Sequence, residues 1–277
     1  MSILDEVIEY VEFGQKYSNY IASKCPFHDD SRPSLIIHED YYKCLACNAH
    51  GRTETLLDKL KGLPAKPSTK EHFSNPFTKW MKTQTLSEAL KTAWQTMNEH
   101  PSVYMRDKRG ITNQTCRELG IGHRDGWYTF PIRDACHRIV GGVARADETN
   151  SASTYAKYVT VSGQSADLLY VPSWELIEKS SVIYVVFGIV DAVTLYQLGC
   201  GSISTTGGKR LDPAALDGIR KRMIFIPDFG EEDAAWNIVK HLGWRGKVAK
   251  CRYPENCKDV NDVFVKYPDL LKSSLGV

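Results

Sequence analysis

Apolar positions recur along this chain with two spacings, and each spacing predicts a different element. Between residues 86 and 97 the apolar residues fall three or four positions apart, which places them on one face of a helix. "VIYVV" (182–186) and "MIFI" (223–226) are continuous apolar runs, typical of strands buried on both faces of a parallel sheet. Helix-forming segments, "DAVTLYQLG" and "AAWNIVKHL", follow these runs. The alternation of strand and helix predicts a parallel α/β sheet.

In two further segments apolar and polar residues alternate, as they do in the strands of β-hairpins. "SLIIHEDYYKC" (34–44) has a turn signal at "HED", and "WYTFPIRDACHRIVGGVARA" (127–146) has one near "DACH". A stretch rich in Pro, Ser and Lys reads as a linker. We therefore predict a multi-domain α/β protein. Its parts are a small β domain at 1–61, the linker at 62–78, an α+β subdomain at 79–178 and the parallel α/β sheet at 179–277.

Composition and charge exclude several classes of protein. Of the 277 residues, 42% are hydrophobic and 25% are charged, an ordinary globular balance. The apolar runs are too short to cross a bilayer. The start of the chain, "MSILDEVIEY", lacks the basic residues of a secretory signal, so we expect a cytoplasmic protein with no membrane association. Because 35 basic and 33 acidic side chains leave a net charge of +2, a nucleic-acid surface must be a local patch.

Four side chains near the N-terminus have the spacing of a metal site. Cys25 and His28 form one pair, Cys44 and Cys47 form another, and each pair has two intervening residues. The predicted hairpin brings the pairs together, and four N/S ligands suit a closed, structural zinc site. The alternative is ordinary reduced cysteines with a surface histidine. His38 and His50 are left over, and we expect them to be surface or hairpin residues.

The sequence around these ligands, "CPFHDDSRPSL" and "YYKCLACNAHG", resembles the CHC2 zinc-binding domain of bacterial and phage DNA primases. The resemblance covers about the first sixty residues and implies a zinc-ribbon β domain that helps to recognise a single-stranded DNA template. Exposed aromatic and basic side chains could bind such a template. The candidates are Arg32, Tyr41, Tyr42, Lys43 and Arg52. For one of the two tyrosines, packing inside the hairpin is the alternative.

The middle of the chain resembles the N-terminal part of the primase polymerase core. The matching motifs are Tyr104 to Ile111, Gly120 to Gly122, Phe130 to Ile132, Ile139 to Arg145, and Lys157-Tyr158. Basic residues of that subdomain line the nucleotide and template channel in the family. The resemblance therefore implies that Arg145 and Lys157 contact phosphates. The alternative is that both are solvated charges at strand ends.

The C-terminal part resembles a Toprim domain, and "CKDVNDVF" (257–264) is similar to the stretch that closes it in primases. In the family, carboxylates after two strands hold divalent metals, Mg²⁺ or Mn²⁺. Here the carboxylates that match are Asp191 and Asp228, with Glu231 nearby, whereas Phe187 and Ile226 stand where the motifs have Glu and Asp. Either the nearby acids rebuild a metal site or the centre is inactive. Asp191 could alternatively cap a helix.

Two functions follow from these resemblances. The first is a DNA primase, encoded by a phage or a mobile element, that makes RNA primers from ribonucleotides on single-stranded DNA. The second is a catalytically inactive primase-like adaptor or initiator that binds single-stranded DNA. A Toprim nuclease fits the first two regions less well. Because the P-loop pattern is absent from this sequence, we expect a separate replicative helicase as partner.

Overall fold

The computed structural model describes residues 2–12, 15–17, 19–30, 33–47, 49–62, 75–147, 157–165, 167–206 and 211–276. The chain divides into two compact units, Met1–His72 and Phe73–Val277. Arg32, one of the predicted template-binding residues, lies outside the described residues, as does most of the predicted linker. The end of that linker differs from the prediction, because Pro76 begins a helix that Asn75 caps. In the described part of the chain, no helix is long and apolar enough to cross a membrane.

The first unit is built on a five-stranded antiparallel sheet in the order β1-β2-β3-β4-β5. Its elements are α1 (Ile3–Val7), β1 (Gln15–Lys16), β2 (Ile21–Ser23), β3 (Leu35–Ile37), β4 (Tyr41–Cys44), β5 (His50–Arg52) and α2 (Thr53–Leu60). Strands β3 and β4 form the predicted hairpin, with Leu35 opposite Cys44. Alternate side chains of this hairpin enter a small apolar core beneath α1 and α2.

The second unit begins with helices packed on a four-stranded antiparallel sheet in the order β6-β7-β8-β9. Its elements are α3 (Pro76–Trp80), α4 (Leu86–Glu99), a π-helical turn (Tyr104–Lys108), α5 (Asn113–Leu119), β6 (Gly122–Arg124), β7 (Trp127–Arg133), β8 (Ile139–Ala146) and β9 (Tyr158–Thr160). The predicted helix is α4, which Thr85 caps and which buries Ala89, Leu90, Ala93 and Met97. The predicted second hairpin is β7–β8.

The rest of the second unit is a five-stranded sheet in the order β10-β12-β11-β13-β14. The strands are β10 (Leu169–Tyr170), β11 (Val182–Val186), β12 (Ser202–Thr205), β13 (Arg222–Phe225) and β14 (Gly246–Val248). The helices are α6 (Trp174–Lys179), α7 (Ile189–Gln197), α8 (Glu232–Leu242), α9 (Val260–Lys266) and α10 (Pro268–Leu275), with short 3-10 turns at Pro213–Leu216 and Gly243–Arg245. All pairings are parallel except β10–β12. The predicted mixed α/β fold is confirmed.

Strand β11 lies at the centre of this sheet, and the chain leaves it first towards β12 and later towards β13. The order of strands therefore reverses beside β11, which is where open α/β sheets bind ligands beyond the carboxyl ends of their strands. Val185 pairs with Phe225, and the N–H of Ile226 donates to the carbonyl oxygen of Val185 at 2.9 Å. The segments that follow β11 and β13 consequently lie side by side, as the sequence predicts.

Candidate functional site

The four predicted zinc ligands come together in the first unit. One ligand atom from each of Cys25, His28, Cys44 and Cys47 lies within 4.8 Å of the others. The Sγ atoms of Cys25 and Cys47 are 3.7 Å apart, and Sγ of Cys44 is 4.0 Å from Nδ1 of His28. Three thiols and one imidazole are the donors that a tetrahedral structural zinc prefers.

Asp30 organises this cluster, and the sequence analysis missed it. One carboxylate oxygen accepts hydrogen bonds from the main-chain N–H of Cys25 at 3.0 Å and from the hydroxyl of Ser34 at 2.5 Å. The other oxygen lies 3.7 Å from Nε2 of His28, on the side of the ring away from the thiols. A carboxylate in this place fixes the orientation of a ligating histidine. The short spacing from His28 to Asp30 was the available signal.

Hydrogen bonds also prepare one of the thiols for a metal. Burial raises the pKa of Cys44, but the hydroxyl of Ser34 and the main-chain N–H groups of Cys47 and Ala46 outweigh it and bring the value to about 6. The two N–H groups lie 3.3 Å from Sγ of Cys44. Since the thiolate is the form that binds metal, this thiol is available as a ligand at neutral pH.

The exposed face of β4 carries the candidate template-binding residues that the structure describes. Tyr41 is 52% exposed and stacks on His38, with ring centroids 4.5 Å apart. Lys43 lies on the same face, and Arg52 is paired with Tyr41 on the neighbouring strand. Tyr42 points to the opposite face and is buried, so its prediction as a binding residue is wrong and the packing alternative holds.

In the second unit, three aspartates converge where β11, β13 and α9 meet. Asp191 is buried in the first turn of α7, Asp228 follows β13, and Asp259 caps α9. Burial and the carboxylates of Asp259 and Asp228 raise the pKa of Asp191 well above its ordinary value. Burial and the charges of Asp259 and Glu231 raise the pKa of Asp228 to about 7. Mutual repulsion of this kind identifies carboxylates that share a site.

Asn261 connects this site to the helical part of the unit. Its main-chain N–H donates to Oδ1 of Asp191 at 2.8 Å, so the carboxylate does not cap α7 as the alternative proposed; Gly188 is the N-cap residue. Its side-chain Nδ2 donates to Oγ1 of Thr194 at 2.9 Å and to the carbonyl oxygen of Arg109 at 2.8 Å. Asn261 therefore links Asp191 to Thr194 on the same helix and to the segment that carries Arg109.

Four cations surround the aspartates. Burial raises the pKa of Asp259, and the charges of Arg109 and Lys258 oppose that rise; Lys258 and Lys157 likewise oppose the rise at Asp228. Arg145 is 4% exposed, with its guanidinium centred 5.0 Å from the ring of Tyr104 and 5.8 Å from that of Tyr158. The solvated strand-end alternative is therefore wrong for Arg145. Within the described part of the chain, its Nε and Nη1 have no hydrogen-bond partner, although they are buried.

The two apolar replacements in the motifs are placed beside the aspartates. Phe187 and Ile226 are each 9% exposed and pack into the cores on either side of the sheet. Glu231 precedes α8 and adds its charge to the field on Asp228. Asp259 and Asn261 are the site residues that the sequence analysis missed. Their signal is the "KDVND" stretch, which in the sequence supports only the resemblance to a Toprim domain.

Comparisons with known proteins agree with this arrangement. Residues 1–86 match the family described as CHC2 zinc finger. The DNA primase of Staphylococcus aureus (strain MRSA252) is 35% identical over 315 aligned positions, which cover 88% of this chain and 52% of the relative. The chain thus spans about half the length of the curated relatives it matches.

Solved structures extend the comparison to the fold. The Aquifex aeolicus primase, comprising zinc-binding and RNA polymerase domains, aligns with a TM-score of 0.53 at 17% identity and covers 100% of this chain and 82% of its own. The RNA polymerase domain of Mycobacterium tuberculosis primase aligns with a TM-score of 0.56 at 17% identity, covering 68% of this chain and 80% of its own. At this identity the likeness concerns the fold.

Proposed function

We propose that this chain, which belongs to the family of bacterial DNA primases with a CHC2 zinc finger, synthesises short RNA primers on single-stranded DNA during replication. The observation that carries the proposal is the meeting of Asp191, Asp228 and Asp259 with buried and surface cations at the switch point of a parallel sheet. In this proposal the sheet is a Toprim domain, ribonucleotides are the substrates, and the reaction is nucleotidyl transfer. A separate helicase partner and a phage or mobile-element origin rest on the sequence alone.

The zinc is assigned a structural role. Cys25, His28, Cys44 and Cys47 would supply all four ligands, which leaves no position for a substrate. Asp30 would orient His28 from outside the ligand set. The metal would then hold the β3–β4 hairpin against the turn at residues 25–28. This fixes the face that carries Tyr41 and Lys43, which we assign to the template through stacking and phosphate contact.

The aspartates suit a hard divalent cation. Burial, together with the negative charge of neighbouring carboxylates, raises the pKa values of all three, and Mg²⁺ or Mn²⁺ prefers oxygen donors of this type. Asp228 and Asp259 would hold the cation, supported by Asp191. When bound, such a cation neutralises phosphate charge and favours ionisation of the primer 3′-hydroxyl.

The chain's own cations are assigned to the triphosphate. Arg145 has two buried N–H groups without partners among the described residues, and Tyr104 and Tyr158 hold its guanidinium in place. Lys157 has a pKa lowered by partial burial and by the neighbouring charges of Arg145 and Arg109. Both residues carry positive charge, and a triphosphate would bring the opposite charge to them.

The inactive adaptor is the second candidate, and Phe187 is the observation that favours it. A phenyl ring cannot ligate a metal, and it stands where the family's motif has a glutamate. Asp259 favours activity, since it supplies a third carboxylate to the same site.

Primer synthesis on mixed-sequence single-stranded DNA, with labelled ribonucleotides and Mg²⁺ or Mn²⁺, separates the two candidates. We expect primers from the wild type, none from Asp228→Asn, and normal yield from Asp233→Asn, a matched change at an exposed acid of α8. Glu231→Gln should also be impaired if this acid helps to rebuild the site. DNA binding without synthesis by the wild type would establish the adaptor instead.

A further inference from the structure

An apolar groove of about 710 Å³ lies on the face of the parallel sheet that carries α10. Its floor is a row of side chains in register on three adjacent strands, because Tyr184 pairs with Ile224 and Ile224 pairs with Lys247. Leu270 and Leu271 of α10 form one wall. Tyr184 and Ile224 are only partly buried, and Leu270 is 50% exposed. The three aspartates of the candidate site do not line this groove.

A second wall of the groove is the open edge of the sheet. Strand β14 pairs with β13 and stands last in the order of strands. After β14 the chain continues along the groove through residues 250–253, which have no regular secondary structure. Within the described part of the chain, the main-chain N–H and C=O groups of this stretch make no hydrogen bond to other main-chain groups. An edge of this kind is a template for an added strand.

The charged side chains of the groove all have one sign. Lys247, Lys250 and Arg252 are exposed and line it, and no carboxylate is among the described residues that do so. Trp236 of α8 is 49% exposed and adds an aromatic surface. A nucleic acid, whose outer atoms are charged phosphates, would leave the aliphatic floor without a partner. A protein segment with apolar and acidic side chains matches both the floor and the cations.

We propose that this groove binds an extended, acidic segment of a partner protein, with apolar side chains on Ile224 and Leu270 and acidic side chains facing Lys250 and Arg252. The main chain of the segment pairs with residues 250–253 and extends the sheet beyond β14. Contact with the apolar floor supplies most of the affinity, and the cations select an acidic partner. The proposal does not depend on primer synthesis, since an inactive adaptor would present the same groove.

Selection from a random-peptide library displayed on phage, with the full chain as bait, tests the proposal. We expect the selected peptides to be rich in acidic and apolar residues, and fluorescence anisotropy then measures the affinity of one labelled peptide. The double variant Lys250→Glu, Arg252→Glu should weaken its binding about tenfold, because two attractive charges become repulsive. Leu270→Ser should also weaken binding about tenfold, because an apolar contact at the wall is lost.

Matched variants control for folding and for net charge. The double variant Arg220→Glu, Lys272→Glu makes the same change of charge at exposed positions, and Val265→Ser truncates an apolar side chain of α9 that is 41% exposed. None of these residues lines the groove, so both controls should bind the peptide like the wild type. Hydrogen exchange of the wild type with bound peptide should slow at the amides of residues 250–253, as pairing with an added strand requires.

Three results would overturn the proposal. The first is a selection that enriches no peptide, or only peptides that bind the groove variants as tightly as the wild type. The second is binding that leaves hydrogen exchange at residues 250–253 unchanged, because the segment would then not extend the sheet. The third is a dimer of the wild type in sedimentation that Leu270→Ser dissociates, because the groove would then be an interface between two copies of this chain.

Discussion

The main-chain N–H of Asn261 donates a hydrogen bond to Oδ1 of Asp191 at 2.8 Å, across 70 positions of sequence. This bond stabilises the ionised form of a carboxylate that burial and two neighbouring acids drive towards the neutral form. The side chain of Asn261 in turn holds the carbonyl oxygen of Arg109. The position of the most buried acid in the site therefore depends on the docking of α9 against α7.

Gly188 is predicted to be indispensable for the position of Asp191. Its backbone angles are ordinary for any residue, with φ −110 and ψ 133, but an added methyl group would collide with Oδ2 of Asp191. Gly188→Ala should lower the free energy of unfolding by about 1–3 kcal/mol, since the added methyl group would overpack the site. Urea unfolding measures this change.

The matched control is Gly218→Ala, because a Cβ at that glycine would meet nothing within 4 Å. It should be close to neutral. Equal stability of Gly188→Ala and the wild type would show that Asp191 can move aside at no cost.

The sequence predicts the elements of this protein better than it predicts the site. Strand β11 and the β3–β4 hairpin follow from local patterns, since four or five consecutive residues determine whether a strand is buried on one face or two. Asp191 and Asp228 were chosen through the resemblance to the Toprim motifs, and the apolar strands before them predict that their segments lie side by side.

Asp259 and Asp30 were missed because their roles depend on packing and not on local pattern. Asp259 caps a short helix, and capping alone accounts for an aspartate at this position. Only the docking of α9 brings its carboxylate near Asp191. Asp30 contacts the metal-ligand cluster from outside, through Cys25, Ser34 and His28. From the sequence, Arg145 could be a solvated charge at the end of a strand. In the structure its guanidinium lies beside the rings of Tyr104 and Tyr158, which come from separate segments.

Asp30→Asn is predicted to weaken zinc binding without abolishing it. The amide keeps the shape of the carboxylate but loses the charge that orients His28, and losses of this kind are about 10- to 100-fold in metal affinity. Competition with a chromophoric chelator measures the affinity. Cys44→Ser should reduce the zinc content, which is expected to be close to one per chain.

Cys136→Ser is the control, because Cys136 is exposed and belongs to the second unit. It should retain wild-type affinity for zinc. A Cys44→Ser variant that keeps its full zinc content would show that the four residues are not the ligands.

Tyr41→Ala is predicted to weaken binding of single-stranded DNA by about 1–3 kcal/mol, the contribution of one aromatic platform to a stacked base. Fluorescence anisotropy with a labelled oligonucleotide measures the affinity. Lys43→Gln should reduce the salt dependence by about 0.7 in the slope of log K against log salt, as loss of one phosphate contact does.

Tyr10→Ala serves as the control, since Tyr10 is 45% exposed in the same unit but lies outside the β4–β5 face. It should bind like the wild type. Binding that is insensitive to salt, or equal losses from Tyr10→Ala and Tyr41→Ala, would count against this face as the template surface.

The carboxylate site should make stability depend on pH in the absence of added divalent cations. The pKa of Asp228 rises from 3.8 to about 7 on folding, so the folded state holds this proton more tightly than the unfolded state. The resulting stabilisation is complete below about pH 4 and is lost as pH rises through about 7. Thermal unfolding without Mg²⁺ or Mn²⁺ should show a melting temperature that declines over this window.

Asp228→Asn lacks the titrating carboxyl group, so its melting temperature should decline less over this pH window. Asp233→Asn, at an exposed position on α8, should follow the wild type. Parallel curves for the wild type and Asp228→Asn would contradict the raised pKa.

Asp259→Asn tests whether the third carboxylate rebuilds the catalytic site. Asp259 also caps α9 by accepting a hydrogen bond from the N–H of Asp262 at 2.7 Å. Asparagine caps helices about as well as aspartate, so this variant keeps the helix and loses only the charge. If Asp259 helps to hold a catalytic cation, primer synthesis should fall by about 10²- to 10³-fold, while zinc content and DNA binding persist. Asp259→Ala, which loses both roles, should in addition unfold at a lower temperature. Full synthesis by Asp259→Asn would restrict the site to Asp191 and Asp228, and the glutamate that Phe187 replaces would then be dispensable in this chain.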